Sequence, residues 1–516
     1  MTRTTRLAIT MSILAVAVRL IWINQPYIDD WSWRQSDVAA IARNYFQGGF
    51  HFAHPQIDWA GDAPGYVGTE FPILPFIAAI CYKMFGVHEW IGRVQALILF
   101  AISLPFFFLL VRKIFGEIAA VWALLFYSLA PLGIIAGRCF MPDMPSLALS
   151  IIGLYFFQRW IDESELSAAS LRPDGATRST RLRHSHGGQA SFFASALCIS
   201  LAILIKLPAA IIGAPLACLA FQRFRIPPLR LGAAFQRLDL WLFVAIALLP
   251  SVLWYGHAYQ VALQFYPHHF FGAGGVKIMS VAWYLKVAKE TATSTLTPFL
   301  LVLGGVGMIT TRSTSSVRPF RWWLGAMILF IVIVGYGNRH QWYQLPLIPI
   351  AAAFAGAACV FVGSKISSRT VKLTFSILLA ASLGFSAFRY ARYFYQPSAA
   401  PLRDTGLNLR TVTPLGALVV AADNGDPTVL YYAERKGWHF LEKNGIYDGE
   451  PRDSAQAIVD LEGLRKRGAS YLVFTSNTSW WLDYYEEFAQ HLDQTATRMT
   501  TNSQFKVFQL MGRADR

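Results

Sequence analysis

Apolar runs close to twenty residues long recur along nearly the whole chain, near 7–23, 92–111, 118–136, 142–160, 191–206, 207–222, 239–256, 296–311, 322–337, 343–363 and 370–388. An α-helix rises about 1.5 Å per residue, so about twenty such residues match a hydrocarbon layer about 30 Å thick. Within lipid, only helices and closed barrels satisfy every backbone polar group. The runs therefore predict a polytopic all-α membrane protein with about 11 transmembrane helices. Composition agrees, because 15% of the residues are charged, against about 25% in soluble domains. With 54% hydrophobic residues, disorder is excluded as well. The opening MTRTTRLAITMSILAVAVRLIWI is basic and then apolar, without a clear small-residue cleavage site, and reads as an uncleaved first span.

Charge divides the chain. Residues 1–399 hold 32 Lys/Arg and 15 Asp/Glu, net +17, whereas 400–516 hold 13 and 15, net −2, which together give +15. The basic residues lie between apolar runs, where they orient spans, so a nucleic-acid partner is rejected despite a pI near 9.6. The five cysteines show neither paired nor metal-type spacing and read as small core residues.

Residues 71–87 (FPILPFIAAICYKMFGV) are a short twelfth candidate span that contains Pro72, Pro75 and Lys83. Keeping them out of the count puts Arg3 and Arg6 on the same side as Arg112, Lys113, Arg159, Arg237, Arg312 and Lys365, as the positive-inside tendency requires. The N-terminus is then cytoplasmic. Residues 24–91 form a long outer loop with seven acids (Asp29, Asp30, Asp37, Asp58, Asp62, Glu70 and Glu89), and the C-terminal segment is extracytoplasmic. Within that loop Val38, Ile41, Ala42, Tyr45 and Phe46 follow helical spacing from Ser36, with Asp37, Asn44 and Gln47 mostly opposite. This predicts an amphipathic interfacial helix that ends at Gly48-Gly49. Two domains are expected: 1–395, a transmembrane domain that includes loop 24–91, and 396–516, a small soluble α/β domain. The second has strands in LGALVVAAD (415–423) and ASYLVFT (469–475), a helix at 457–468 closed by Gly468, and no recognisable catalytic motif.

Three polar constellations fall at predicted outer ends of spans. Asp29-Asp30, after the first span, can supply a general base for an acceptor, hold a divalent cation, or simply cap the following helix. In Gly137-Arg138-Cys139-Phe140-Met141-Pro142-Asp143, Arg138 and Asp143 either pair with each other, or Arg138 binds a phosphate while Asp143 orients other acids. Gly337-Asn338-Arg339-His340-Gln341-Trp342-Tyr343 suits an anionic headgroup, or is an interfacial anchor. Lys206, between two runs, is either a snorkelling lysine or a phosphate contact. Glu70 is either a helix-starting carboxylate or a substrate ligand. His268, His269 and Lys277 read as ordinary solvated residues.

At DDWSWRQSDVAAIARNYFQGG, TEFPILPFIAAICYKMFGVHEWIGR, GRCFMPD and RHQWYQLPLIP the chain resembles the C-type integral-membrane glycosyltransferases, in particular bacterial glycosyltransferase family 39 (protein O-mannosyltransferases) and the related aminoarabinose transferases of lipid A. The resemblance spans roughly residues 5–390. It implies a GT-C fold in the bacterial cytoplasmic (inner) membrane and an inverting transfer of sugar from a polyprenyl-phosphate donor to a lipid, glycan or protein acceptor on the outer face. By motif it makes Asp30, rather than Asp29, the acceptor's base, and aligns Asp143 with the family's second acidic motif. Arg138, Arg339, His340, Tyr343 and Lys206 become donor-phosphate contacts, and Arg34 and Glu70 substrate contacts. The family's Glu-Lys-Pro-Pro is here Glu70-Phe71-Pro72-Ile73, without the lysine. No cofactor is firmly implied, and a divalent metal is left open. A lipid-linked sugar flippase is the competing reading; it would place polar residues along its spans rather than at their ends.

Overall fold

The computed structural model describes residues 2–170, 178–223, 237–265, 276–335, 339–443, 446–501 and 504–511. His268, His269, Gly337 and Asn338 lie outside the described residues. Helices account for every predicted apolar run: α1 (Arg3–Leu20), α4 (Glu89–Phe115), α5 (Glu117–Leu129), α6 (Pro131–Ala136), α7 (Asp143–Ser170), α8 (Arg178–Ile205), α9 (Gly213–Arg223) and the later helices Leu238–Gln264, Pro298–Thr310, Arg318–Ile333, Leu347–Lys365 and Arg369–Phe394. Two further helices, α2 (Ser32–Gly48) and α3 (Ile73–Phe85), lie in the first loop.

The chain is a multi-pass membrane protein. Among the described residues, five helices are long and apolar enough to cross a membrane: Glu89–Phe115, Gly188–Ile205, Leu238–Gln264, Gln341–Lys365 and Arg369–Phe394. A bent pair, Val281–Thr295 with Pro298–Thr310, can make a sixth. Three of the other runs are interrupted. Run 118–136 breaks at Ala130-Pro131, where proline has no N–H to continue the ladder. Run 207–222 begins as a 3-10 turn, Leu207–Ile212. Run 296–311 meets its preceding helix at 102°, at Thr297 (φ 74°) before Pro298. At thirteen residues, α3 is short for a span.

Packing divides the chain into two compact units. Unit 1 comprises Met1–Ile21, Arg93–Trp254 and Gly274–Arg392; unit 2 comprises Trp22–Gly92, Tyr255–Ala273 and Tyr393–Arg516. The outer loop thus packs with the C-terminal segment, so the units divide the chain differently from the expected boundary at 395/396.

In unit 1, helices approach closely at two glycines: Gly307 abuts the Phe354 carbonyl and Gly356 the Ala119 carbonyl, both without room for a Cβ. Near the α5–α6 break, Arg19 of α1 donates to carbonyls on either side of it. Fully buried, Arg19 donates from Nη1 to Ser128 O (3.1 Å) and to Ala15 O (2.8 Å), and from Nη2 to Gly133 O (2.8 Å). Its guanidinium lies 3.6 Å from the Phe100 ring centroid. A Cβ on Gly137 would run into this side chain, which explains that glycine.

Unit 2 is built on a sheet of order β2-β1-β5-β7-β6 from β1 (Leu418–Ala422), β2 (Lys436–His439), β5 (Ala469–Thr475), β6 (Ala496–Thr501) and β7 (Phe505–Leu510); β3 (Glu442–Lys443) and β4 (Ile446–Tyr447) form a small separate ladder. β1 runs parallel to β2 and β5, and β7 antiparallel to β5 and β6. The expected strands and the helix closed by Gly468 are present, the helix as Ser454–Lys466. Alternate residues of β1 face opposite layers. Val420 and Ala422 pack with Ala457, Leu461 and Leu464, whereas Val419 and Ala421 pack with Ile41, Tyr45, Ile57 and Val67 of the first loop. A sheet with parallel strands needs cover on both faces, and residues 22–92 supply one of them.

This placement corrects the reading of α2. The helix ends as expected, with Gly49 left-handed at φ 94°, but it is not an interfacial helix with a wet polar stripe. Asp37 and Asn44 are buried. Asp37 accepts from Trp59 Nε1 (3.2 Å), and Asn44 donates to Asp58 Oδ1 (2.9 Å). Its polar face meets hydrogen-bond partners inside unit 2, a pairing that periodicity cannot distinguish from solvation.

Candidate functional site

In unit 2 the acidic motif forms the turn into α2. Asp29 is fully buried, and its Oδ1 accepts from Trp31 N (3.1 Å) and from Gln35 Nε2 (2.8 Å). It therefore closes a side-chain turn just before the helix, accepting from the amide of Trp31, the residue that precedes α2. The Asp30 side chain is exposed, and its carboxyl is pushed above the ordinary aspartate range by partial desolvation and by the Asp29 charge. Of the two, Asp30 has the reach and the basicity of a proton acceptor. Arg34 and Glu70, expected as separate substrate contacts, are each other's partner: Arg34 Nη2 donates to Glu70 Oε2 (2.5 Å) and Nη1 to Asp37 Oδ2 (3.1 Å). Two carboxylates on one guanidinium leave little net charge for a phosphate.

In unit 1, three predicted residues converge. Lys206 sits in extended backbone between α8 and the 3-10 turn, Asp143 opens α7, and Tyr343 lies on a 3-10 turn before Leu347–Lys365. Lys206 Nζ is 3.5 Å from Asp143 Oδ1 and 5.2 Å from the Tyr343 ring centroid. Lys206 is buried, with 7% of its surface accessible, so the snorkelling alternative is set aside. These groups line a pocket whose other walls include Ser146, Ser150, Trp323, Phe330 and Trp342. The two serines were missed, although Asp143, Ser146 and Ser150 follow i, i+3, i+7 spacing on one face of α7. A buried ammonium beside a carboxylate in a largely apolar surround can attract an anionic head with an apolar tail.

Arg138, on the turn between α6 and α7, is fully buried. Arg339 is exposed; its Nε lies 3.3 Å from His340 Nε2, and the imidazole stacks on Trp342 at 4.4 Å and 12°. Neither residue lines the pocket, although their neighbours Trp342 and Tyr343 do. Among the described residues no three His, Cys, Asp or Glu side chains are grouped to hold a metal ion.

Sequence reasoning also missed a buried pair outside the predicted site. At the carboxyl end of β1, Asp423 Oδ1 lies 2.8 Å from His439 Nδ1 at the end of β2, both side chains being buried. Burial disfavours the charged imidazole, yet Asp423, Asp426 and Asp37 outweigh that and raise its pKa. No local motif marks the pair, because the strand pairing that joins them becomes visible only in the fold.

Residues 64–170 match the family described as dolichyl-phosphate-mannose-protein mannosyltransferase. No curated protein sequence matches the chain. Among solved structures, ArnT from Cupriavidus metallidurans in the apo state is 17% identical, with 98% of each chain covered and a TM-score of 0.63. The same protein bound to undecaprenyl phosphate is 15% identical, with 99% of each chain covered and a TM-score of 0.64. The oligosaccharyltransferase of Archaeoglobus fulgidus in the apo form is 14% identical over 92% of this chain and 70% of that one, with a TM-score of 0.60. The expected fold is borne out: a polytopic helical membrane protein with a small C-terminal sheet domain, of the fold these solved structures share.

Proposed function

We propose that this chain is an inverting, polyprenyl-phosphate-sugar-dependent glycosyltransferase that serves a lipid, glycan or protein acceptor at the outer face of a bacterial cytoplasmic membrane. The observation that carries the reading is the pocket with buried Lys206 against Asp143 and Tyr343. The fold is shared with a protein whose structure holds undecaprenyl phosphate, and that supports the same class of donor here. In this reading the N-terminus is cytoplasmic and residues 396–516 are extracytoplasmic.

The acceptor's hydroxyl or amine attacks the anomeric carbon of the donor sugar, and its proton passes to the Asp30 carboxylate. The bond between that carbon and the phosphate oxygen breaks on the opposite side, and the oxygen leaves with the electron pair. Lys206 receives the charge growing on the polyprenyl phosphate, with Arg138, Arg339 and His340 as further donors. Asp143 holds the ammonium in place and Asp29 fixes the turn that carries Asp30. Tyr343 forms an aromatic wall beside the head.

The test uses the purified full-length protein with radiolabelled polyprenyl-phosphate sugars and a membrane extract. Label should enter an acceptor with wild type, fall by about 10²–10⁴-fold in Asp30→Asn, and fall in Lys206→Met with weakened donor binding. Saturable donor binding without transfer from any donor would replace this reading with a lipid-linked sugar flippase.

A further inference from the structure

The Asp30 side chain makes no hydrogen bond among the described residues, so something else must fix its position. A base misplaced by about 1 Å loses about a hundredfold in rate. The flanks of Asp30 are held from the far end of the chain, within unit 2. Before it, Tyr27 N donates to Tyr432 Oη (2.7 Å), Tyr432 OH donates to Glu89 Oε1 (3.0 Å), and Ala399 N donates to Ile28 O (3.0 Å). At the motif itself, the Trp31 ring packs edge-on against Phe394 at 5.5 Å. After it, Ser32 Oγ donates to Asp426 Oδ2 (3.4 Å), and the Ser36 and Thr428 hydroxyls share a hydrogen bond of 3.1 Å.

The gripping segment is itself braced. Asp426 Oδ1 accepts from Thr428 N (2.9 Å), Asp423 Oδ1 accepts from Gly425 N (3.1 Å), and the Asp423–His439 pair ties this loop to the end of β2. The loop therefore moves with the sheet rather than with solvent. A turn held on both sides of one exposed carboxylate, by a segment with no catalytic motif of its own, has the form of a positioning device.

We propose that residues 394–432 position the acceptor base: Tyr432 and Thr428, through Tyr27 and Ser36, set where the Asp30 carboxylate stands. The inference rests on the reading of Asp30 as that base. It gives the C-terminal segment a part in the reaction other than the acceptor recognition that a soluble outer domain would suggest.

The test compares wild type with Tyr432→Phe, Thr428→Val and the two combined, all in the full-length protein, and uses two readouts. The first is amide hydrogen exchange, independent of activity. Peptides covering 27–36 should exchange roughly thirtyfold faster in the combined variant, as expected from loss of two hydrogen bonds to this turn at about 1 kcal/mol each, with 469–475 in β5 unchanged. The second is transfer: kcat should fall about tenfold with the donor KM unchanged, and Thr428→Ser should behave as wild type. Adding Tyr432→Phe to Asp30→Asn should cost nothing further. Wild-type exchange at 27–36, a parallel rise at 469–475, or losses that multiply in Asp30→Asn/Tyr432→Phe would each overturn the proposal. If Asp30→Asn alone transferred at the wild-type rate, the assignment of the base would fall and this positioning role with it, whereas full loss in Asp30→Asn beside wild-type kcat in the grip variants would remove the positioning role alone.

Discussion

Arg19 in unit 1 and Arg43 in unit 2 are both buried arginines, yet they are satisfied differently. Arg19 donates to the carbonyls of Ser128 and Gly133, on either side of the α5–α6 break. Arg43 Nη2 meets the Asp58 carboxylate at 2.5 Å, its Nη1 meets Tyr431 O at 2.5 Å, and Lys436 reaches Asp58 Oδ1 at 2.8 Å. Between apolar helices, backbone carbonyls are acceptors already desolvated, and a carboxylate there would add a second burial cost. In unit 2 the charges join segments almost four hundred residues apart, and a network satisfied on all sides specifies one docking of loop on sheet. Buried charge patches a helix defect in one region and stitches distant chain together in the other.

Breaking a stitch should therefore cost more than lifting a patch. Asp58→Ala leaves Arg43 buried without its carboxylate and should lower the stability of unit 2 by about 3–5 kcal/mol, read as an earlier unfolding transition in detergent with early loss of protection at residues 22–92. Lys206→Met, isosteric in an apolar pocket, should weaken binding of polyprenyl phosphate by about 1.5–3 kcal/mol with little change in stability, as titration calorimetry can measure. Arg19→Met leaves carbonyls unpaired and should cost about 1–3 kcal/mol, read in the unfolding of unit 1. An Arg19→Met cost above that of Asp58→Ala would break the comparison.

The smallest effect expected is that of pH, and it has two signs in unit 2. Burial alone would raise the Asp58 carboxyl, but Lys436 and Arg43 outweigh it and hold the group below its ordinary range. Its contribution is complete above about pH 3.9 and is lost as pH falls through the lower folded value. Burial pushes Asp426 up to about 6, although bonds from Thr428 oppose the shift. Its contribution is full below about pH 3.9 and is lost as pH rises through that folded value. The unfolding midpoint of unit 2 should thus rise slightly from pH 7 to pH 5 and fall below about pH 4, and Asp426→Asn should flatten the upper limb.

The elements of this fold were largely legible because their periods are local. The apolar runs, the end of α2 at Gly48-Gly49 and the strands around 418–422 and 469–475 follow from spacing and composition. What joins them was not. Whether Asp37 and Asn44 face water or a partner depends on residues elsewhere in unit 2, and the layer made by residues 22–92 beneath the sheet has no periodic signature. Run lengths also hid the bends at Pro131 and Thr297. In the candidate site, Lys206, Asp143 and Tyr343 were named from their positions at span ends. Choosing between Asp29 and Asp30 needed the hydrogen bonds that commit the first of them to the turn before α2.

The patch made by Arg19 also has a consequence in time. The acceptors of its guanidinium, Ser128 O and Gly133 O, lie 109 and 114 residues further along the chain. A ribosome adding about 5–20 residues per second takes several seconds to reach them. During that interval the Arg19 guanidinium has the Ala15 carbonyl of its own helix but not these two acceptors. Its side chain takes its final place only when the segment around the α5–α6 break has been made.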